Sequence, residues 1–112
     1  MKKTITVAID FSKFPAGRFL QDGRYSGQRF REQYLFPELM AGNELEILLD
    51  DVEGYGSSFL EEAFGGLIRE GVSPQIVKSN LTCVSELPSL IDEINFYIDE
   101  AIREKQTEAA LG

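Results

Sequence analysis

Apolar and polar positions change period several times along the chain, and each change predicts an element. From Thr4 to Phe11 the apolar residues Ile5, Val7, Ile9 and Phe11 alternate with other positions, the period of a half-buried strand. A long turn follows through Pro15, Gly17 and Gly23, with a short strand expected around Phe19 and Leu20. Ser26 suits the N-cap of a helix through SGQRFREQYLF, with Phe30, Tyr34 and Leu35 on one side. Pro37 either kinks this helix or starts a second short one, which Gly42 and Asn43 end.

The second half repeats the alternation. Leu45 to Asp50, LEILLD, is a short apolar run bounded by turn signals and reads as a central strand covered on both faces. The loop VEGYG leads into a helix from about Ser58 to Arg69, whose Phe59, Leu60, Ala63, Phe64, Leu67 and Ile68 share a face. Gly71 stops it. PQIVKS reads as a further strand that LTCV extends or follows. SELPSLIDEINFYIDEAIREK carries Leu87, Leu90, Ile91, Ile94, Tyr97, Ile98, Ala101 and Ile102 at helical steps, with Pro88 in the first turn. Residues 106–112 are expected to fray.

Strands alternating with helices predict an α/β fold, with a mixed or partly parallel sheet packed against about three helices. The 112 residues make one domain, 1–112, large enough for its own core. No stretch has the length and apolarity of a membrane span, and MKKTITVAID lacks the apolar core of a signal peptide, so a cytoplasmic protein is expected.

Composition narrows the chemistry. With one cysteine and no histidine, an internal disulfide, a Cys/His zinc site and a histidine-activated nucleophile are all unavailable from this chain. No cofactor or metal is expected, and an enzyme is the least favoured class. Cys83 reads as a small apolar residue of a strand. A net charge of -8 argues against nucleic acid as partner. The charge is uneven: Lys13, Arg18, Arg24, Arg29 and Arg31 face only Asp22 within 13–31, whereas the last third is strongly acidic. Such polarity steers a partner or is spent on pairing within the fold.

Three stretches offer candidate chemistry. In GYGSSFLE, Ser58 and Glu61 have capping-box spacing, in which the hydroxyl accepts a backbone N–H and the glutamate reaches back to the N-cap amide. The same spot is favourable for a phosphate on Ser58 or Ser57, opposed by the nearby acids. In GRYSGQRFR, Arg24, Ser26, Arg29 and Arg31 surround a helix start and suit an anion such as a phosphate group; alternatively the arginines pair with acids. The motif lacks the Lys-Ser/Thr of a P-loop. Asp50 and Asp51 suit Mg²⁺ or, more commonly, turn capping. Gly65 and Gly66 allow another element to approach closely.

DGRYSGQRFREQYLFPEL together with LDDVEGYGSSFLEEAFGGLIREG resembles the bacterial STAS-like domain family of unknown function. The resemblance covers roughly 16–71 and the strand and terminal helix beyond. It implies a STAS-like fold. The wider STAS group includes anti-sigma factor antagonists, small domains that bind a histidine-kinase-like ATPase and are switched by serine phosphorylation. Their switch serine lies in Asp-Ser-Ser-Gly. Here the stretch is Gly56-Ser57-Ser58-Phe59, so the serines are present and both flanks differ. The resemblance therefore implies a non-catalytic regulatory module, with Ser58 or Ser57 as phosphoacceptor and Tyr55, Gly56, Phe59 and Glu62 meeting a protein partner. The alternative is a small-ligand or nucleotide-phosphate-binding domain that uses the arginines of 18–31. Neither reading sets an oligomeric state.

Overall fold

The computed structural model describes residues 1–111; residue 112 lies outside them. Strand β1 (Lys2–Thr6) pairs parallel with β2 (Glu44–Leu48), which pairs parallel with β3 (Leu81–Val84), in the spatial order β1-β2-β3. The α/β class is as expected, and all three strands are parallel. Ile5 of β1 and Leu45 and Ile47 of β2 are buried, whereas Glu46 and Leu48 of β2 are half-buried, so one face of the sheet is covered more fully than the other.

Two helical rods are wider than a plain α-helix at their middle. In the first, α1 (Gly27–Phe30) passes through a π-type turn (Arg31–Leu35) into α2 (Phe36–Met40). The Phe36 amide donates to the Arg31 carbonyl, five residues back. Pro37 follows at once. It has no N–H, and its ring needs room beside the carbonyl four residues earlier, so the widened turn carries the helix past the proline. In the second rod, α3 (Ser57–Leu60) passes through Glu61–Gly65 into α4 (Gly66–Arg69). It ends at Gly71, where φ is +107° and the glycine amide donates to the Ile68 carbonyl. Helices α5 (Pro74–Asn80) and α6 (Pro88–Leu111) complete the chain.

The rod 57–69 lies between 27–40 and α6, while α2 and α5 lie against β2. Close approach between the rods needs two glycines. A Cβ on Gly27 would meet the Phe59 carbonyl oxygen, and one on Gly66 would meet the Arg31 guanidinium. That guanidinium is only 4% exposed, and its Nη1 donates at 2.6 Å to Oε2 of Glu62, itself 7% exposed, and at 2.7 Å to the Glu62 carbonyl. Phe30, Phe59 and Phe64 fill the space around the crossing, with Phe30 and Phe59 ring centroids 5.9 Å apart.

Three expectations are corrected. The strand predicted over Thr4–Phe11 stops at Thr6, and Val7–Phe11 forms a π-type turn. The Asp10 carboxylate accepts the Thr6 amide at 2.7 Å, an alternative to a ladder bond. Ile9 is left 81% exposed, and Phe11 turns in to pack on Tyr25, Phe30, Tyr34 and Phe59. The residues near Phe19 and Leu20 form a short 3₁₀ turn, Leu20–Asp22, with the Asp22 carboxylate accepting the Phe19 amide. PQIVKS is helix α5, because Ser73 caps it, accepting the Ile76 amide at 3.2 Å, and Pro74 opens it; only LTCV is strand. Of the tail 106–112 expected to fray, residues 106–111 are the last turns of α6 and residue 112 lies outside the described residues.

The buried ion pair gives the first prediction. Arg31→Ala removes the closest partner of the buried Glu62 carboxylate, which keeps only the longer contacts to Arg18 and Arg69 at 3.3 and 3.4 Å, and is expected to cost about 3 kcal/mol. The double variant Arg31→Met/Glu62→Leu removes both charges and recovers most of that loss. Urea unfolding midpoints of the three proteins check it.

Candidate functional site

The loop after β2 carries Asp50 to Gly56 and delivers Ser57 and Ser58 to the start of the second rod. Gly56, in extended conformation, is the N-cap, and its carbonyl accepts the Leu60 amide. Ser57 and Ser58 are therefore the first two helical residues. Both are exposed, and neither hydroxyl caps the helix. The expected capping box is absent. Glu61 turns away from the helix start and takes Arg69 Nη1 at 2.6 Å and Arg18 Nη1 at 2.6 Å.

Burial disfavours the charge on Glu61, but the hydrogen bonds from Arg69 and Arg18 outweigh it, and its carboxyl is held below the usual value. Arg18 also reaches Glu62 at 3.3 Å. The five residues Arg18, Arg31, Arg69, Glu61 and Glu62 form one ion network behind the serine turn.

The partner-facing residues expected from the sequence divide accordingly. Gly56 is exposed and Tyr55 half-buried, its hydroxyl donating to the Leu49 carbonyl at 2.7 Å. Burial, and then the nearby Asp50 charge, push the Tyr55 phenol well up. Phe59 is 1% exposed within the aromatic cluster, and Glu62 is held by Arg31, so neither is presented to a partner. Helical periodicity dictates this, since both point toward the first rod. The inward turn of Phe59 also leaves the approach to the serines open.

The anion-binding set does not assemble. Ser26 is fully buried and its hydroxyl accepts the Arg29 amide at 3.2 Å, as an N-cap. Arg31 is consumed by Glu62. Arg24 is exposed, and Arg29 makes no ion pair among the described residues, its Nε buried without a partner. The basic segment thus pairs with Glu61 and Glu62 through Arg18 and Arg31, not with the acidic last third. Asp50 caps the turn into α6, accepting the Ser85 hydroxyl at 2.8 Å and the Glu86 amide at 3.1 Å. Among the described residues no group of acids, histidines or cysteines has metal-binding geometry. Cys83 lies half-buried in β3, and burial pushes its thiol up to about 12.

One neighbour escaped the sequence reading. Tyr97 of α6 donates to Glu93 at 2.7 Å. That bond, followed by burial, raises the Tyr97 phenol above its usual value, while the adjacent Ser57 hydroxyl acts in the opposite sense. The helical step from Glu93 to Tyr97 was readable, but the meeting with Ser57 arises from packing of α6 on the second rod.

Residues 26–86, more than half of the chain, match the family described as STAS-like domain of unknown function (DUF4325). The chain belongs to that family. The matched span of this STAS-like domain includes the first rod, the serine turn and β3. No curated protein and no solved structure matches the chain. No described helix is long and apolar enough to cross a membrane.

Two predictions follow from the local bonds. Ser26→Ala and Ser73→Ala each remove a cap and are expected to cost about 1 kcal/mol, while Ser58→Ala stays within about 0.5 kcal/mol of the native protein. Thermal unfolding of the three variants checks the contrast. Glu61 ionises more easily folded than unfolded, so its contribution is present above its ordinary value of 4.5 and lost as pH falls through the lower folded value. The stability gap between native protein and Glu61→Gln is expected to be steady from about pH 7 to about pH 5 and to shrink towards about pH 3.

Proposed function

We propose that this STAS-like domain is a non-catalytic regulatory module that binds a protein partner through the Gly54–Ser58 loop and the first turn of the second rod. The partner is of the histidine-kinase-like ATPase class that the wider STAS group implies, and Ser58 or Ser57 is the phosphoacceptor. ATP supplies the phosphoryl group: the serine oxygen forms the new P–O bond, ADP leaves, and the hydroxyl proton passes to a base of the partner.

The observation that carries this reading is the serine turn itself. Two adjacent hydroxyls stand exposed at the start of a 13-residue helical rod, where backbone N–H groups favour negative charge, and the fold uses neither as a cap. A change there is free to alter binding without loosening the fold. The absence of histidine in the chain agrees with a base supplied by the partner.

Affinity capture of the tagged protein from its native cells, with and without ATP and read by mass spectrometry, tests the reading. The expected result is an ATPase of this class among the captured proteins and phosphate on Ser58 or Ser57. Ser58→Asp, whose fixed charge faces the nucleotide phosphates, is expected to lower capture several-fold at unchanged thermal stability. Unmodified serines and no such ATPase would contradict it.

A further inference from the structure

At the C-terminal ends of β2 and β3 the chain leaves a hollow of about 340 Å³ between the loop 49–55 and the opening turns of α6. Ligands of open parallel sheets sit at this end of the strands. Part of its lining is apolar: Val52, Tyr55 and Leu90 are half-buried in it, and Leu87 stands at the rim, 60% exposed. An apolar residue left this open, beside a formed cavity, is surface that a partner can cover.

The charge of the hollow says what covers it. Its ionisable acids and bases other than Tyr55 are Asp50, Asp51, Glu53 and Glu93, and neither lysine nor arginine lines it. Asp50 and Glu93 accept hydrogen bonds only from neutral donors, which leave their charge uncompensated. None of the four enters an ion pair among the described residues. Some acids elsewhere are paired, Glu61 and Glu62 with arginines, Asp99 with Lys78 and Glu100 with Arg103, and others such as Asp92 and Glu108 are not among the described residues' ion pairs; what marks the hollow is that four such acids share one concave wall with apolar residues. A second hollow across the same loop includes Lys13 beside Asp51 and Glu53 and lacks this one-sided charge. Charges of one sign on a concave wall concentrate their field. A wholly apolar occupant would strip water from carboxylates without return. A small hydrophilic cation would leave Val52, Leu87 and Leu90 uncovered. An arginine or lysine side chain satisfies both, with an aliphatic stem on the apolar wall and a cationic head among the acids.

We infer that this hollow docks a basic segment of the partner protein, taking one of its arginine or lysine side chains, with a neighbouring apolar residue on Leu87. The inference rests on the proposed function for the partner being a protein, and it adds the chemistry by which that partner is held. The Asp50–Tyr55 loop forms one wall of the hollow and continues directly into Gly56 and the serine turn, so a segment seated here lies beside Ser57.

The test is two-dimensional amide NMR of the intact protein titrated with an N-acetylated peptide of alternating arginine and leucine. Two comparison ligands are the same peptide with glutamate for arginine, and agmatine. Saturable shifts are expected at 50–55 and 87–93 for the arginine peptide alone. Asp51→Asn/Glu53→Gln is expected to weaken binding about tenfold; asparagine tolerates the left-handed backbone at position 51, where φ is +67°, so thermal stability stays unchanged. Shifts spread over the acids of 99–108, or equal affinity for the variant, would reduce the effect to general charge attraction and overturn the site. Agmatine binding as tightly as the peptide would make it a small-cation site instead. If the captured ATPase binds the double variant as well as the native protein, this inference fails and the proposed function stands. If the peptide binds here while no ATPase is captured, the site stands and that reading fails.

Discussion

The Arg31–Glu62 ion pair is the contact on which the arrangement of this domain depends. It joins the widened turns of two helical rods at the point where they cross, and a guanidinium there leaves room for nothing larger than glycine at position 66. Isolated buried charges cost several kcal/mol each, so the pair persists only because the geometry is close and the Glu62 carbonyl takes a second bond. Arg18 and Arg69 extend it to Glu61 and tie the loop before α1 to the same rod. The position of the serine turn follows from this lock: α3 begins where the crossing places it, and Gly56 ends the loop in the conformation that starts a helix.

Much of this architecture was legible in the sequence, and the exceptions have local causes. Ser26 as a cap, the break at Pro37, the stop at Gly71 and the long terminal helix follow from residue chemistry that acts within one turn of chain. The first strand was overread because Ile9 and Phe11 continue its period, while Asp10 closes a local bond and the aromatic cluster draws Phe11 in. PQIVKS was misread because its apolar residues suit a strand equally well; the Ser-Pro pair before it was the signal for a helix start. Ser58 and Glu61 have the spacing of a capping box, but the glutamate finds two arginines from distant segments. Spacing records what a residue is able to do locally, and only the tertiary contacts decide which partner wins.

The same division applies to the site. The serine pair was readable as a motif but its exposure was not, and the inward turn of Phe59 and Glu62 comes from the helical face they share with the first rod. The anion set failed because its central arginine had a better partner in a buried carboxylate. The meeting of Tyr97 with Ser57 and the closing of the acidic hollow by Glu93 are products of how α6 packs; the Asp50–Asp51 pair alone of the hollow's acids stood out in the sequence. The fold therefore separates two duties along one rod: the residues facing inward bind the domain together, and the two that begin it are exposed and cap nothing, Ser57 standing beside Tyr97 of α6.

Hydrogen exchange at the backbone amides of native protein and Glu62→Gln tests that lock most directly. Protection is expected to fall together across 27–40 and 57–69, while β1, β2 and β3 keep theirs. Protection unchanged in both rods, or lost equally in rods and sheet, would contradict it.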